Sequence, residues 1–461
     1  MAEPVTLDTP VRSAPRPSLD PVRVTGAELG LLLSGWCSTA TGIALRDGRY
    51  TPLALTLVLT GAGLVALAVG RPGRLLSRLP PVGPRALLTA GLTATAVLVA
   101  LAALVWRPDY YGSGPALRLS KLAIAVAGLT AAASLLPRLR TARWPFWAAL
   151  ALAALACHAM VVAAPNPRID VWFLLQESTR GLFAGENMYR QHWPGSTGLW
   201  AVYPYLPGTS LLLAPFRLLA GDVRHGEVVF LVVAAILLRR ICPATAAPAL
   251  LPLLVIVFPK VTYSAQQAWT EPLLVLGLVV LVWAVRGGRA RVAVVAFALA
   301  LASKQHLVLL LPLLAAWPAF GPRRTAAATG LAGLICLPWF LAGPQEMWHD
   351  AVSVNLGYRV LPHALDIPAL AVRHGVTLGF GATLVAVGAA YALAVPLVRR
   401  CGAYGFCAGS ALVVLALNVT NKQSFFNHYT LAMALIVLAV CCGLADRRPD
   451  QERGAAGHRL A

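Results

Sequence analysis

From residue 26 onward the chain reads as long apolar runs parted by short polar breaks. A run of about 20 apolar residues, rising about 1.5 Å per residue as a helix, covers a bilayer core of about 30 Å. Runs that fit lie near 26–45, 52–70, 86–106, 119–136, 145–164, 269–285, 289–303, 306–320, 325–342, 376–398, 404–418 and 428–444. Residues 204–260 hold three further apolar segments. The pattern predicts an all-α, polytopic transmembrane helical bundle of about 12–14 spans. Residues 1–25 are polar, contain five prolines and read as a disordered tail, and 446–461 read as a second polar tail. The first apolar run starts too late for a cleavable leader and is followed by more spans.

Composition agrees. The chain is 58% hydrophobic and 12% charged, with a mean hydropathy of +0.71, whereas soluble domains carry about 25% charged residues. That leaves no room for a sizeable water-soluble domain. The eight cysteines fall in apolar runs or beside arginine-rich loops, with neither a disulfide framework nor a zinc spacing.

Charge sets the sides. Arg71, Arg74, Arg78 and Arg85 occupy one loop, and Arg138, Arg140 and Arg143 the next. Arg286, Arg289 and Arg291, then Arg323-Arg324 and Arg399-Arg400, follow with no acid among them. Under the positive-inside rule these loops and both termini are cytoplasmic. The net charge of +20 thus reflects arginines facing anionic membrane lipids, and nucleic acid is not an expected partner. The long loops 165–203 and 343–374, and the polar clusters at 263–271, 303–306 and 418–429, then fall outside. For that to hold, one segment of 204–260 has to be short, re-entrant or interfacial.

The candidate chemistry collects on that outer side. In "PNPRIDVWFLLQESTRG" an amphipathic helix would place Asp170 and Glu177 on one face, with Arg180 three residues after Glu177. Such a helix lies in the interface and holds Asp170 at headgroup depth. A solvated loop acid or helix cap is the plainer alternative. "YPYLPG" stiffens the entry into the membrane with Pro204 and Pro207. In "SKQH", Lys304 and His306 could neutralise a phosphate at the membrane surface, or form a turn with a snorkelling lysine. Lys422, Asn427 and His428 raise the same alternatives. The loop 343–375 adds His349, Asp350, Tyr358, Arg359, His363, Asp366 and His374, too sparse a set to define a metal site. Phosphate-cradling, hydrolase-elbow and zinc-protease motifs are absent.

Taken together, "PNPRIDVWFLLQESTRGLFAGENMY", "YPYLPG", "SKQHLVLLLPLL" and "NKQSFFNHYTL" resemble the GT-C superfamily of membrane glycosyltransferases. Within it they resemble the polyprenyl-phosphate-mannose-dependent mannosyltransferases of the glycosyltransferase 87 type. The family pattern G-x-N-P-Y is met by Gly185-Glu186-Asn187-Met188-Tyr189, with Met188 in the proline position. The resemblance implies a GT-C-like catalytic core over 144–445, preceded by added transmembrane helices over 26–143. It implies a multi-pass protein of the cell membrane with its active site on the outer face. The expected activity is inverting transfer of a sugar, mannose or its rival arabinose, from a polyprenyl-phosphate donor to a cell-envelope glycan or lipoglycan.

By the same resemblance Asp170 would be the general base. Lys304 and His306, then Lys422 and His428, would hold the donor phosphate, and Gln176, Tyr203 and Tyr205 would shape the sugar site. No cofactor is implied, and a divalent metal stays open. Two other readings compete: a transporter or flippase of a lipid-linked sugar, which needs mid-membrane polar groups and two-sided access, and an inactive lipid-binding relative.

Overall fold

A computed structural model describes residues 24–70, 89, 91–99, 112–193, 195–243 and 247–447. Most of both predicted tails, the arginine loop 71–85 and much of the predicted span 86–106 lie outside the described residues.

Among the described residues every regular element is a helix. Six are long and apolar enough to cross a membrane: Pro52–Gly70, Gly114–Ala133, Trp144–Ala163, Gly321–Ala342, Phe380–Thr420 and Phe426–Ala445. A bent pair, Lys260–Gln266 and Glu271–Arg286, meets at 112° and could supply a seventh. The chain is a multi-pass helical membrane bundle.

The count falls short of about 12–14 for local reasons. Ala290–Leu301 and Gln305–Ala316 are shorter than a crossing needs. Arg224–Ile241 carries Arg224 and Glu227 in its first turn and Arg239 and Arg240 in its last. The 41-residue helix Phe380–Thr420 errs the other way, because Gly402 at φ 52° breaks it into two legs. A Cβ on Gly405 would sit 2.4 Å from the Leu397 carbonyl oxygen and one on Gly409 2.9 Å from the Ala394 Cβ. The legs therefore fold back on each other, as the separate predicted spans 376–398 and 404–418 require. The region 204–260 contains two short pieces, Gly208–Ala220 with 13 residues and Leu250–Val257 with 8.

Gly26–Ala44 opens on a capping box: the Thr25 hydroxyl accepts from the Glu28 N–H at 3.2 Å, and the Glu28 carboxylate accepts from the Thr25 N–H at 2.8 Å. This helix pairs with Pro52–Gly70, and the two pack on Phe426–Ala445 and Phe380–Thr420 respectively. Trp36 meets Phe258 edge-on at 5.7 Å. The first two helices are thus built into the later bundle.

Arg286 pairs with Asp446 at 2.8 Å, and the Arg447 Nε donates to the Val24 carbonyl at 3.2 Å. Both described ends of the chain therefore meet the Arg286–Arg291 loop at one end of the bundle, the grouping that charge predicts. Glu271 begins the helix that Arg286 ends, so Glu271 and its neighbours lie at the other end.

Candidate active site

Asp170 is the first residue of an amphipathic helix, Asp170–Phe183. One carboxylate oxygen accepts the Val171 N–H at 2.9 Å. Burial pushes the carboxyl above its usual range, against the pull of that hydrogen bond. Glu177 and Arg180 pair with each other through a hydrogen bond of 2.9 Å from Nε, as their spacing predicts.

The motifs quoted above are stitched to one another. The Leu206 N–H donates to the Ser303 carbonyl at 3.3 Å, and the Gly208 N–H to the Ala302 carbonyl at 2.8 Å. The Thr209 hydroxyl adds a bond to the Ser303 carbonyl at 2.7 Å. Gln305 donates to the Pro204 carbonyl at 2.9 Å and to the Ala351 carbonyl at 2.6 Å. "YPYLPG", "SKQH" and the loop after Gly343 thus form one surface. The loop is fixed further by Asp366, which is fully buried and accepts from the Ala369 N–H at 2.8 Å and the Ser424 N–H at 2.9 Å. Asn187 donates to the Trp339 carbonyl at 3.2 Å, which ties "GENMY" to the end of Gly321–Ala342.

At the centre is Tyr205. It lies within electrostatic reach of Asp170, Glu271 and Tyr358, and its carbonyl accepts from the Tyr189 hydroxyl at 2.8 Å. Beyond it, Lys304 Nζ meets Glu271 Oε1 at 2.7 Å, with the two side chains 13% and 3% exposed. His428 is within electrostatic reach of Glu271 and Lys304, and His306 of Lys304 and His428. Three of the four predicted phosphate ligands, Lys304, His306 and His428, therefore share one cluster.

Lys422 is placed differently. Its ammonium donates to the Leu356 carbonyl at 2.9 Å, so it ties down the loop after Gly343. Gln176 and Tyr203 also act as framework. The Gln176 amide donates to the Gly221 carbonyl at 3.0 Å and accepts from the Val223 N–H at 2.9 Å. Tyr203 is fully buried, with its hydroxyl on Ser210 at 2.6 Å and its N–H on Asp350 at 3.0 Å. Of the three residues predicted to shape a sugar site, Tyr205 is the one within electrostatic reach of Asp170.

The residue that sequence reasoning passed over is Glu271. It closes the polar run "YSAQQAWTE" and heads the apolar helix Glu271–Arg286, which is the available signal. The turn before it is strained: Ala268 sits at φ 58°, a region that costs a non-glycine residue about 1 kcal/mol. That turn sets the bend that delivers Glu271 to Lys304. Glu227, fully buried, lies within electrostatic reach of both. An apolar crevice runs away from Glu271 between Trp36, Leu231, Phe258, Val275 and Met433.

No known protein family, curated protein or solved structure matches the chain.

Chemically, the site offers a carboxylate of raised basicity, a tyrosine within its electrostatic reach, and a cluster of one lysine and two histidines that the same tyrosine reaches through Glu271. An apolar crevice leads off the same cluster.

Proposed function

We propose that the protein transfers a sugar, with mannose the first choice, from a polyprenyl-phosphate donor to a cell-envelope glycan or lipoglycan at the outer face of the membrane. The single observation that supports the reading is that Tyr205 is within electrostatic reach of both Asp170 and Glu271, the partner of Lys304. A base and an anion-binding cluster that share one tyrosine neighbour match what the displacement needs. The acceptor hydroxyl oxygen attacks the anomeric carbon, Asp170 takes the hydroxyl proton, and the bond from that carbon to the phosphate oxygen breaks. Lys304, assisted by His306 and His428, takes up the charge left on the departing lipid phosphate. Attack opposite the leaving group inverts the anomeric centre. The crevice beside Glu271 is apolar apart from Glu271, Ser264 and Thr430, the kind of lining that contact with an isoprenoid chain requires.

Membranes containing the protein, supplied with radiolabelled polyprenyl-phosphate mannose and a mannan acceptor, are expected to form a new glycosidic product. The Asp170→Asn variant is expected to insert normally and make none. An Asn variant as active as the wild type would end the proposal.

A further inference from the structure

We propose that Glu271 is a resident substitute for the donor phosphate: it occupies Lys304 in the resting site and is displaced, with uptake of one proton, when a lipid phosphodiester binds. This rests on the transferase reading above and identifies what the incoming anion must compete with.

The geometry leads there. Lys304 and Glu271 form a close ion pair, and both are largely out of water. Glu271 Oε2 is buried and meets no donor with hydrogen-bond geometry. Glu271 also lines the apolar crevice, so the carboxylate stands at the junction of the Lys304 cluster and an apolar lining.

The charged and titratable neighbours are Glu227 on Arg224–Ile241, Lys304 and His306 on the segment after Leu301, His428 on Phe426–Ala445, and Tyr205. Lys260 also lies close in the chain, its ammonium 5.8 Å and 5.7 Å from the ring centres of Tyr263 and Phe426. Lys304 is the cation paired with Glu271, and it cannot serve two anions at once in a water-poor site. A phosphodiester keeps its single charge across neutral pH, and the neutralising proton is assigned to Glu271, the acid in contact with Lys304. The step is simple: a solvent proton forms an O–H bond on Glu271, the ion pair opens, and Lys304 turns to the phosphate.

The test uses the detergent-solubilised full chain and farnesyl-phosphoryl-mannose, without acceptor, between pH 6 and 8.5. Calorimetry in buffers of different ionisation enthalpy counts protons. The wild type is expected to take up about one proton per ligand, with Kd rising up to about tenfold per pH unit. The Glu271→Gln variant is expected to bind with no uptake, a flat pH profile and higher affinity at pH 8.5. Wild-type binding without proton uptake overturns the inference and leaves the transferase reading standing. Uptake that persists in Glu271→Gln, whichever of Glu227, His306 or His428 carries it, also overturns it. No binding by the wild type at any pH would remove the transferase reading, and this inference with it.

Discussion

The guanidinium of Arg224, 1% exposed, meets the Asp222 carboxylate at 2.6 Å. The same guanidinium donates to the carbonyls of Ala164 at 2.8 Å and Gln266 at 3.2 Å. The Trp172 ring lies 5.4 Å from it, and the indole N–H donates to Asp222 at 3.3 Å. One cation thus joins the end of Trp144–Ala163, the Asp170 helix and the turn before Glu271. Replacing one partner of a buried pair costs about 3–5 kcal/mol. Arg224→Ala is therefore expected to lower the midpoint of thermal unfolding sharply. Arg224→Lys should recover little of the loss, since an ammonium cannot reproduce the forked contacts.

Burial pushes the Asp170 carboxyl up from its usual range. A base works only when ionised, so activity is expected to decline as pH falls through the value of this group. The acid limb of kcat/KM should then lie above about pH 4, the ordinary aspartate value. A pH–rate profile of the wild type checks this. Asp170→Glu is expected to retain a small fraction of the activity, because the longer side chain misplaces the oxygen relative to Tyr205.

Gly208 has no room for a side chain: a Cβ would lie 2.7 Å from the carbonyl carbon and oxygen of Ala302. Gly208→Ala is expected to push "YPYLPG" off "SKQH" and cost about 1–3 kcal/mol. Donor KM should rise as well, because Lys304 follows directly after this contact. Thermal unfolding and donor titration read the two effects separately.

Asp366 titrates in an unusual range. Burial pushes its carboxyl up to about 6, against the hydrogen bonds from Ser424 and Ala369. The folded value exceeds the unfolded one of about 3.9, so the folded state binds the proton more tightly. The group's contribution is complete below about pH 4 and is lost as pH rises to about 6, a difference of about 2–3 kcal/mol. Hydrogen exchange in residues 356–375 is expected to be slower at pH 4.5 than at pH 7, after correction for intrinsic rates. In Asp366→Ala that difference should vanish and exchange should be fast at both values.

The two lysines are expected to separate. Lys304→Ala should abolish donor binding, whereas Lys422→Ala should change donor KM less than about threefold, as for an exposed tie to a loop carbonyl. Equal losses in both would mean that Lys422 also reaches the phosphate.

Much of this arrangement could be read from residue order. Apolar runs gave the helices, arginine placement gave the end where Val24, Arg286 and Asp446 gather, and spacing gave the Asp170 helix with its Glu177–Arg180 pair. The misreadings have physical causes. Hydropathy cannot tell that Ala290–Leu301 and Gln305–Ala316 stop short, since the apolar residues that continue each run, at 302 and 317–320, have left the helix. Gln176 and Tyr203 looked available because a polar side chain in a loop carries no mark of a prior commitment to Val223 or Ser210. Glu271 was hidden because its importance comes from a bend at Ala268 that brings it to Lys304, 33 residues later in sequence. Such a pairing has no periodic trace.

Trp36, from the first helix of the chain, forms part of the crevice wall and touches Phe258. A shortened protein that began at residue 144 would lack that wall, leaving a gap facing the bilayer where lipid could enter from the side. The first helix therefore acts as a gasket, and engineering that trims it would be expected to yield a leaky particle rather than a smaller working protein.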